Sequence, residues 1–351
     1  MPLISTETGR FNTSYAEEVR INQSVYKRVA VSVLVLLAFA VVPFVVSSAM
    51  LATLTLVGTL AVGAIGLNIL TGFTGKISLG HAALSAVGAF TAGNMMLLGA
   101  PFLVALLVAP LVAGLVSLPL GLIALRIKGL YLAIATLAMQ FLVEWVLANW
   151  TAVTGGFQGV IRFPREQIGP LDLGTPLGRY LFTFIILALS VVFAQNLFRS
   201  RSGRAFIAIR DQDLAAEGVG ISQPRYLVRA FFISSAYAGI AGALYGLNVG
   251  LITNEAFTFD HSIEYLAMIL IGGLGSVPGA IIGAAVIVML PILLREGLGT
   301  VGMTIAPSVE VYALLILYGL AILLILILEP RGLYGLYSNI RDYFRMWPYS
   351  Y

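Results

Sequence analysis

Apolar runs long enough to span a membrane recur along the chain, separated by short polar stretches, and this alternation predicts the fold before any motif is considered. A transmembrane helix needs about 20 mainly apolar residues, because a rise of about 1.5 Å per residue must cross a hydrocarbon core about 30 Å thick. Eight runs qualify, near 29–49, 51–70, 79–98, 102–125, 129–150, 179–198, 227–250 and 306–328. A ninth stretch, 262–294, would make a single helix of roughly 50 Å, but GGLGSVPG at 272–279 interrupts it. Glycine and Pro278 break helices, so two short segments joined by irregular backbone are expected there. The predicted fold is all-α and polytopic, with about eight transmembrane helices plus a re-entrant or broken-helix hairpin across 29–328. A polar lead, 1–28, precedes this region and a tail, 329–351, follows it.

Composition agrees: 59% of the 351 residues are hydrophobic and 10% are charged, with a mean hydropathy of +0.97. A water-soluble surface needs about a quarter of its residues charged, so lipid is the expected covering. The net charge of +4 sits in short loops, which argues for orientation signals over nucleic-acid binding. Arg199, Arg201, Arg204, Arg210, Arg225 and Arg229 mark 199–229 as cytoplasmic, whereas Glu255, Asp260 and Glu264 mark 251–264 as external. Counting crossings from a cytoplasmic N-terminus puts Lys76, Arg126 and Lys128 inside and 151–178 outside. Arg331, Arg341 and Arg345 place the tail inside, so both termini are expected in the cytoplasm. This parity requires 262–294 either to enter and leave on one side or to cross twice as short helices. Irregular backbone at membrane depth is tolerated where it is buried in protein or lines an aqueous cavity. That makes 272–279 a candidate for a translocation path, with a glycine-mediated helix contact as the equal alternative.

The residues offer little catalytic chemistry. With no cysteine there is no disulfide, thiolate nucleophile or cysteine metal site, and two histidines, His81 and His261, make a multi-histidine metal centre an unsuitable reading. TGFTGKIS at 71–78 approaches the phosphate-loop pattern, but Leu70 and Ile77 stand where its first Gly and its Ser or Thr belong. Glu144 lies in an apolar run, about 22 Å from its cytoplasmic end and beside Trp145 and Trp150, which favours an interfacial anchor over a relay. His81, next to Gly80, reads as a satisfied helix-end residue.

The informative segment is the 199–226 loop. Residues 204–217 interleave Ala205, Phe206, Ala208, Ile209, Leu214, Ala215 and Ala216 with charges, and Gly218 and Gly220 follow. This is a short amphipathic helix on the cytoplasmic face. Its carboxylates Asp211, Asp213 and Glu217 argue against an anionic lipid surface and for a protein groove.

At this loop, GRAFIAIRDQDLAAEGVGIS, continued by SSAYAGIAGALYG at 234–246, resembles the coupling region of LivH/LivM-type permeases of branched-chain amino acid ABC transporters, the LivM branch more closely. The likeness extends to GLNILTGFTGKISLGHAALSAVGAFTAG at 66–93, KGLYLAIATLA at 128–138, TGGFQG at 154–159, YLAMILIGGLGSVPGAIIGAA at 265–285 and EPRGLYGL at 329–336. The resemblance implies a bacterial-type inner-membrane permease that works with a homologous second permease subunit, two cytoplasmic ATPase subunits carrying ATP and Mg, and a periplasmic substrate-binding protein. This chain itself would bind no cofactor. Gly203, Arg204, Arg210, Asp211, Glu217 and Gly220 fall on the ATPase-coupling positions. A zwitterionic substrate could be received by helix ends and unwound carbonyls, so Gly66, Asn68, Gly72, Gly75, Ser78, Gly80, Gly272, Gly273 and Gly275 are the translocation-path candidates. The outside loops, 151–178 and 251–262, would receive the binding protein. A related importer for urea, short amides or aromatic acids stays open, as does an ion-coupled carrier, although the latter calls for paired membrane carboxylates that the sequence does not display.

Overall fold

The computed structural model describes residues 42–300 except 128, 157, 158, 165 and 170, then 313, 316–320, 322–324, 327, 329 and 332–346; the side chains of 294–300 and 341–346 are outside the description. The 1–28 lead, most of the first apolar run, much of the 306–328 run, Lys128, Arg331 and the side chains of Arg341 and Arg345 therefore lie outside the described residues.

The main helices among the described residues are, in chain order, α1 Ser48–Asn68, α2 His81–Leu97, α3 Phe102–Val116, α4 Leu118–Ile123, α5 Leu130–Asn149 and α6 Pro176–Arg199. After them come α7 Arg201–Asp211, α8 Asp213–Gly218, α9 Gln223–Val249, α10 Phe259–Gly272, α11 Val277–Thr300 and α12 Gly332–Met346. Among the described residues, five helical stretches are long and apolar enough to cross a membrane: Ser48–Phe73, Phe102–Ile123, Leu130–Asn149, Pro176–Arg199 and Gln223–Val249. The shorter α2 and α10 and the apolar first part of α11, Val277–Leu293, complete the bundle. The protein is a multi-pass helical membrane protein.

Burial separates the helices into two layers. The apolar windows of α1 and α9 are 72% and 67% buried, against 39%, 33% and 28% for those of α3–α4, α5 and α6. A helix that is apolar all round and mostly covered is central, whereas an apolar helix left open at membrane depth faces lipid or another transmembrane chain. Ile134, Phe141 and Leu142 on α5 and Leu189, Val192 and Phe193 on α6 form such open faces. Between central helices, where no hydrophobic drive operates in lipid, small residues allow backbone contact. Gly88 of α2 meets Gly239 of α9, and Gly242 lies on the Ser85 carbonyl.

Local chemistry explains where helices stop. The 102–125 run is interrupted at Ser117, where Pro119 brings no N–H to the Leu115 carbonyl and the Ser117 hydroxyl donates to Gly114 O at 2.7 Å. The 151–178 segment contains β1 Val160–Arg162, β2 Gln167–Ile168 and β3 Leu171–Asp172, and β4 Leu251–Thr253 follows α9. β1 pairs antiparallel with β4 in the register Val160 to Thr253, and β2 with β3. The 151–178 and 251–262 loops are thus joined at one end of the bundle, the sheet end; α7 and α8 lie at the other.

The 262–294 stretch resolves into two separate helices. α10 starts at Phe259, three residues earlier than the sequence pattern predicts, and runs in 14 residues from the sheet end to the α7 end. The chain reverses at 273–276 and α11 returns. Gly272 packs on the Gly279 carbonyl and Gly283 on that of Met268, so these glycines make the helix contact. Gly273 and Gly275 instead adopt φ of 123° and 76°, a region that favours glycine, and form the turn.

Candidate functional site

Three irregular stretches of backbone meet at the α7 end. α1 continues past Asn68 as a π-helical turn, Ile69–Phe73, in which Thr74 Oγ1 donates to Ile69 O at 2.9 Å. Such wide turns are uncommon and concentrate at functional positions. The buried Asn68 amide ties this turn to the α10–α11 reversal: Nδ2 donates to Ser276 O at 2.7 Å, and Oδ1 accepts from Gly275 N at 2.9 Å. A Cβ at Gly72 would collide with Asn68 Oδ1 and Gly275 N, so glycine there permits the approach.

The third stretch is the end of α7. Arg210 Nη1 donates to Gly72 O at 3.0 Å, while its Nε and Nη2 hold Asp211 Oδ1 at 3.0 and 2.9 Å. Gly75, at φ 70°, lies against the aliphatic stem of Arg210. The guanidinium therefore bridges the α7 carboxylate to the π-turn, and Asn68 extends the link to 273–276. Gly332, at the start of α12, rests on Gly273.

The predicted single helix over 204–217 is corrected to two. α7 ends at Asp211, Gln212 is extended at φ −156° and ψ 98°, and α8 restarts at Asp213, whose carboxylate accepts from Leu214 N at 2.9 Å. A carboxylate at a helix start offers the backbone N–H a local partner, and this favours the break. The apolar strip of α7 is also not presented outward: Ala205, Phe206 and Ile209 are buried, with Phe206 edge-on to Tyr226 at 6.3 Å. What remains outside is Leu214, 73% exposed, and Val219, 79% exposed, with Arg204, Arg210, Asp211 and Glu217. Ser200 caps α7 by accepting from Gly203 N, Arg204 donates to Arg199 O at 2.7 Å, and Gly220 turns the chain at φ 86°.

Of the translocation-path candidates, Asn68, Gly72, Gly75, Gly273 and Gly275 gather at this junction. Gly66 packs on Ser234 O and Tyr237, Gly80 on Thr136 O, and Gly272 on Gly279; Ser78 Oγ accepts from Gly80 N at 3.4 Å.

A second polar layer lies deeper in the bundle, around the start of α2. Its free N–H groups are satisfied by side chains from distant helices: Leu79 N donates to Thr136 Oγ1 at 2.9 Å, Ala82 N to Ser262 Oγ at 2.9 Å, and Ala83 N to Gln140 Oε1 at 2.8 Å. Gln140 Nε2 donates onward to Phe257 O at 2.9 Å and to Glu144 Oε1 at 2.8 Å. His81 is the satisfied helix-end residue expected of it, with Nε2 2.8 Å from Gly63 O and its ring edge-on to Tyr265 at 5.1 Å. The Tyr265 ring lies on Gly63, where a Cβ would overlap it. Sequence reasoning did not single out Gln140, Ser262 or Tyr265, and read His261 and Glu264 only as an argument against a metal centre and as an external charge; it also placed the start of α10 at 262. Thr258 followed by Asp260 was the available signal, an N-cap residue type with an acid in the first turn. Among the described residues no group of three or more His, Cys, Asp or Glu could hold a metal ion.

Residues 49–327 match the profile of the family described as branched-chain amino acid transport system/permease component. The chain is 31% identical over 315 residues to the high-affinity branched-chain amino acid transport system permease protein LivM of Escherichia coli, covering 83% of this chain and 71% of that one. It is 27% identical over 296 residues to the probable LivM of Methanocaldococcus jannaschii, covering 79% and 82%. A match to LivH of Escherichia coli, 30% identical over 156 residues, covers 44% and 46%. No solved structure matches.

Proposed function

Because the chain belongs to the branched-chain amino acid transport permease family, we propose that it forms the membrane path of an ATP-driven importer for branched-chain or related amino acids. The observation that carries the reading is the link from Arg210 through Gly72 and Asn68 to Gly275 and Ser276. It joins a charged helix at one end of the bundle to both breaks in the central helices. The chain has no phosphate-binding loop, so uphill transport draws on separate ATPase subunits, and these carry the ATP and Mg.

The α7 end is assigned to the cytoplasm. Six arginines lie across 199–229, against Arg162, Arg165 and Arg179 across 151–179, and short cytoplasmic loops carry the basic excess. The exposed Leu214 and Val219, rimmed by Arg204, Asp211 and Glu217, form the knob that enters an ATPase groove. Closure of that groove biases the membrane conformations only by changing contacts at α7 in one state relative to the other. Arg210 and Asn68 are the contacts through which that difference reaches 273–276. The β1–β4 ribbon faces outward and receives the substrate-loaded binding protein. The second permease subunit is of the LivH type, and the inner membrane is the location.

The test is reconstitution in proteoliposomes with the ATPase, second permease and binding-protein subunits. Arg210→Ala or Asp211→Ala is expected to lower amino acid uptake per ATP hydrolysed by at least fivefold while membrane insertion persists. Full coupling with residues 204–217 scrambled would overturn the assignment.

A further inference from the structure

α10 carries an ionisable pair that the coupling junction does not use. His261 Nδ1 lies 2.9 Å from Glu264 Oε2, one turn along the helix, and the two side chains are 13% and 31% exposed. Three aromatic rings wall the imidazole: Tyr265 at 5.0 Å, Tyr245 at 6.2 Å and Phe257 at 6.3 Å between centroids. His261 Nε2 is buried among them without a hydrogen-bond partner. Among the described residues, the ion-pair partner of Glu264 is His261, and no Lys or Arg comes within salt-bridge distance.

A carboxylate at membrane depth is costly and needs a reason to be there. An imidazole Nδ1–H at 2.9 Å from a carboxylate oxygen holds that carboxylate in one orientation. Glu264 is the more exposed member of the pair, and the three aromatic rings stand around its partner. Carboxylate with aromatic faces is the chemistry that receives an ammonium group, by charge-assisted hydrogen bonds and cation–π attraction. The location fits a receiving step. Glu264 lies about 8 Å along α10 from its start at Phe259, one residue before Tyr265, which touches His81 and Gly63.

We propose that Glu264, positioned by a His261 ring that Tyr245, Phe257 and Tyr265 wall, is an amine subsite that takes the α-ammonium group of the amino acid as it enters the membrane path. This rests on the reading of the chain as an amino acid permease. A purely structural ion pair would stabilise α10 but would not distinguish an amine from an acid.

The absence of cysteine from the chain supplies the assay. Asp260 is exposed and four residues before Glu264, on the same helix face. In the full complex in proteoliposomes, an Asp260→Cys variant is labelled with 2-aminoethyl methanethiosulfonate and with its anionic 2-sulfonatoethyl counterpart, and the mass of this chain is followed. Isopentylamine, an amine lacking the carboxylate, is expected to slow labelling by the cation at least fivefold. 4-Methylpentanoate, the acid lacking the amine, is expected not to. Adding Glu264→Gln is expected to abolish this protection and to lower the cation-to-anion labelling ratio at least fivefold. Equal protection by amine and acid, or by neither, in the Glu264 background overturns the subsite even if the Gln variant fails to fold. Leucine uptake by the complex without substitutions tests the permease reading separately: if uptake fails there, that reading is lost whatever isopentylamine does.

Discussion

Replacing Asn68 by Ala removes both hydrogen bonds that tie the π-turn to the α10–α11 reversal, at 2.7 and 2.9 Å. Ser276 O keeps its bond from Ala280 N, whereas Gly275 N loses its partner. Hydrogen bonds between membrane helices contribute on average about 0.6 kcal/mol and at most about 1.7 kcal/mol each, so the pair supplies about 1–3 kcal/mol. If the clamp forms in one transport state and opens in the other, its loss moves the balance between them by about 5–150-fold. The measurable consequence is a fall in amino acid taken up per ATP hydrolysed in proteoliposomes, together with a lower unfolding temperature in detergent. Arg210→Ala acts on the same segment through Gly72 O, so the double variant is expected to depart from additivity by more than about 0.5 kcal/mol. Unchanged coupling in Asn68→Ala, or strict additivity with Arg210→Ala, would refute the idea that these contacts act as one link.

Two further substitutions probe the deeper polar layer. Gly63→Ala would put a Cβ 2.5 Å from the Tyr265 ring, and such overpacking costs about 1–3 kcal/mol; the lower melting temperature should be partly restored by Tyr265→Ala, and no rescue would count against the contact. Gln140→Leu leaves Ala83 N and Phe257 O unpaired, at about 1–3 kcal/mol for each buried group, and should accelerate hydrogen exchange at Ala83 far more than Gln140→Glu, which keeps an acceptor there.

Hydropathy predicted the spans well because lipid imposes a length rule that few sequences meet by accident. The α1, α5, α6 and α9 boundaries lie within four residues of their apolar runs. What it could not reveal was partnership. The moment of 201–211 marks an apolar face without saying whether another chain or α9 covers it, and Phe206 turns inward. Asn68, Gly72 and Gly275 were singled out for broken backbone, but their meeting depends on hydrogen bonds 207 and 208 residues apart in the chain, which no local pattern encodes. His261 lies just ahead of the predicted start at 262 and Glu264 just inside it, and no local pattern shows that the two side chains meet. The β1–β4 pairing joins two loops that the charge count places on the same side without showing that they touch.

The way α2 begins has a consequence for biogenesis. Its opening amides depend on groups 57 residues later, Thr136 and Gln140, and 180 residues later, Ser262. At about 5–20 residues per second, a ribosome needs about 10–40 s to supply the last of these. Until then, nascent α2 must keep its first turn hydrated or borrow a temporary partner, because hydrocarbon offers none. Insertion of this segment should therefore finish late, and chains truncated before Ser262 should expose that turn to the quality-control machinery.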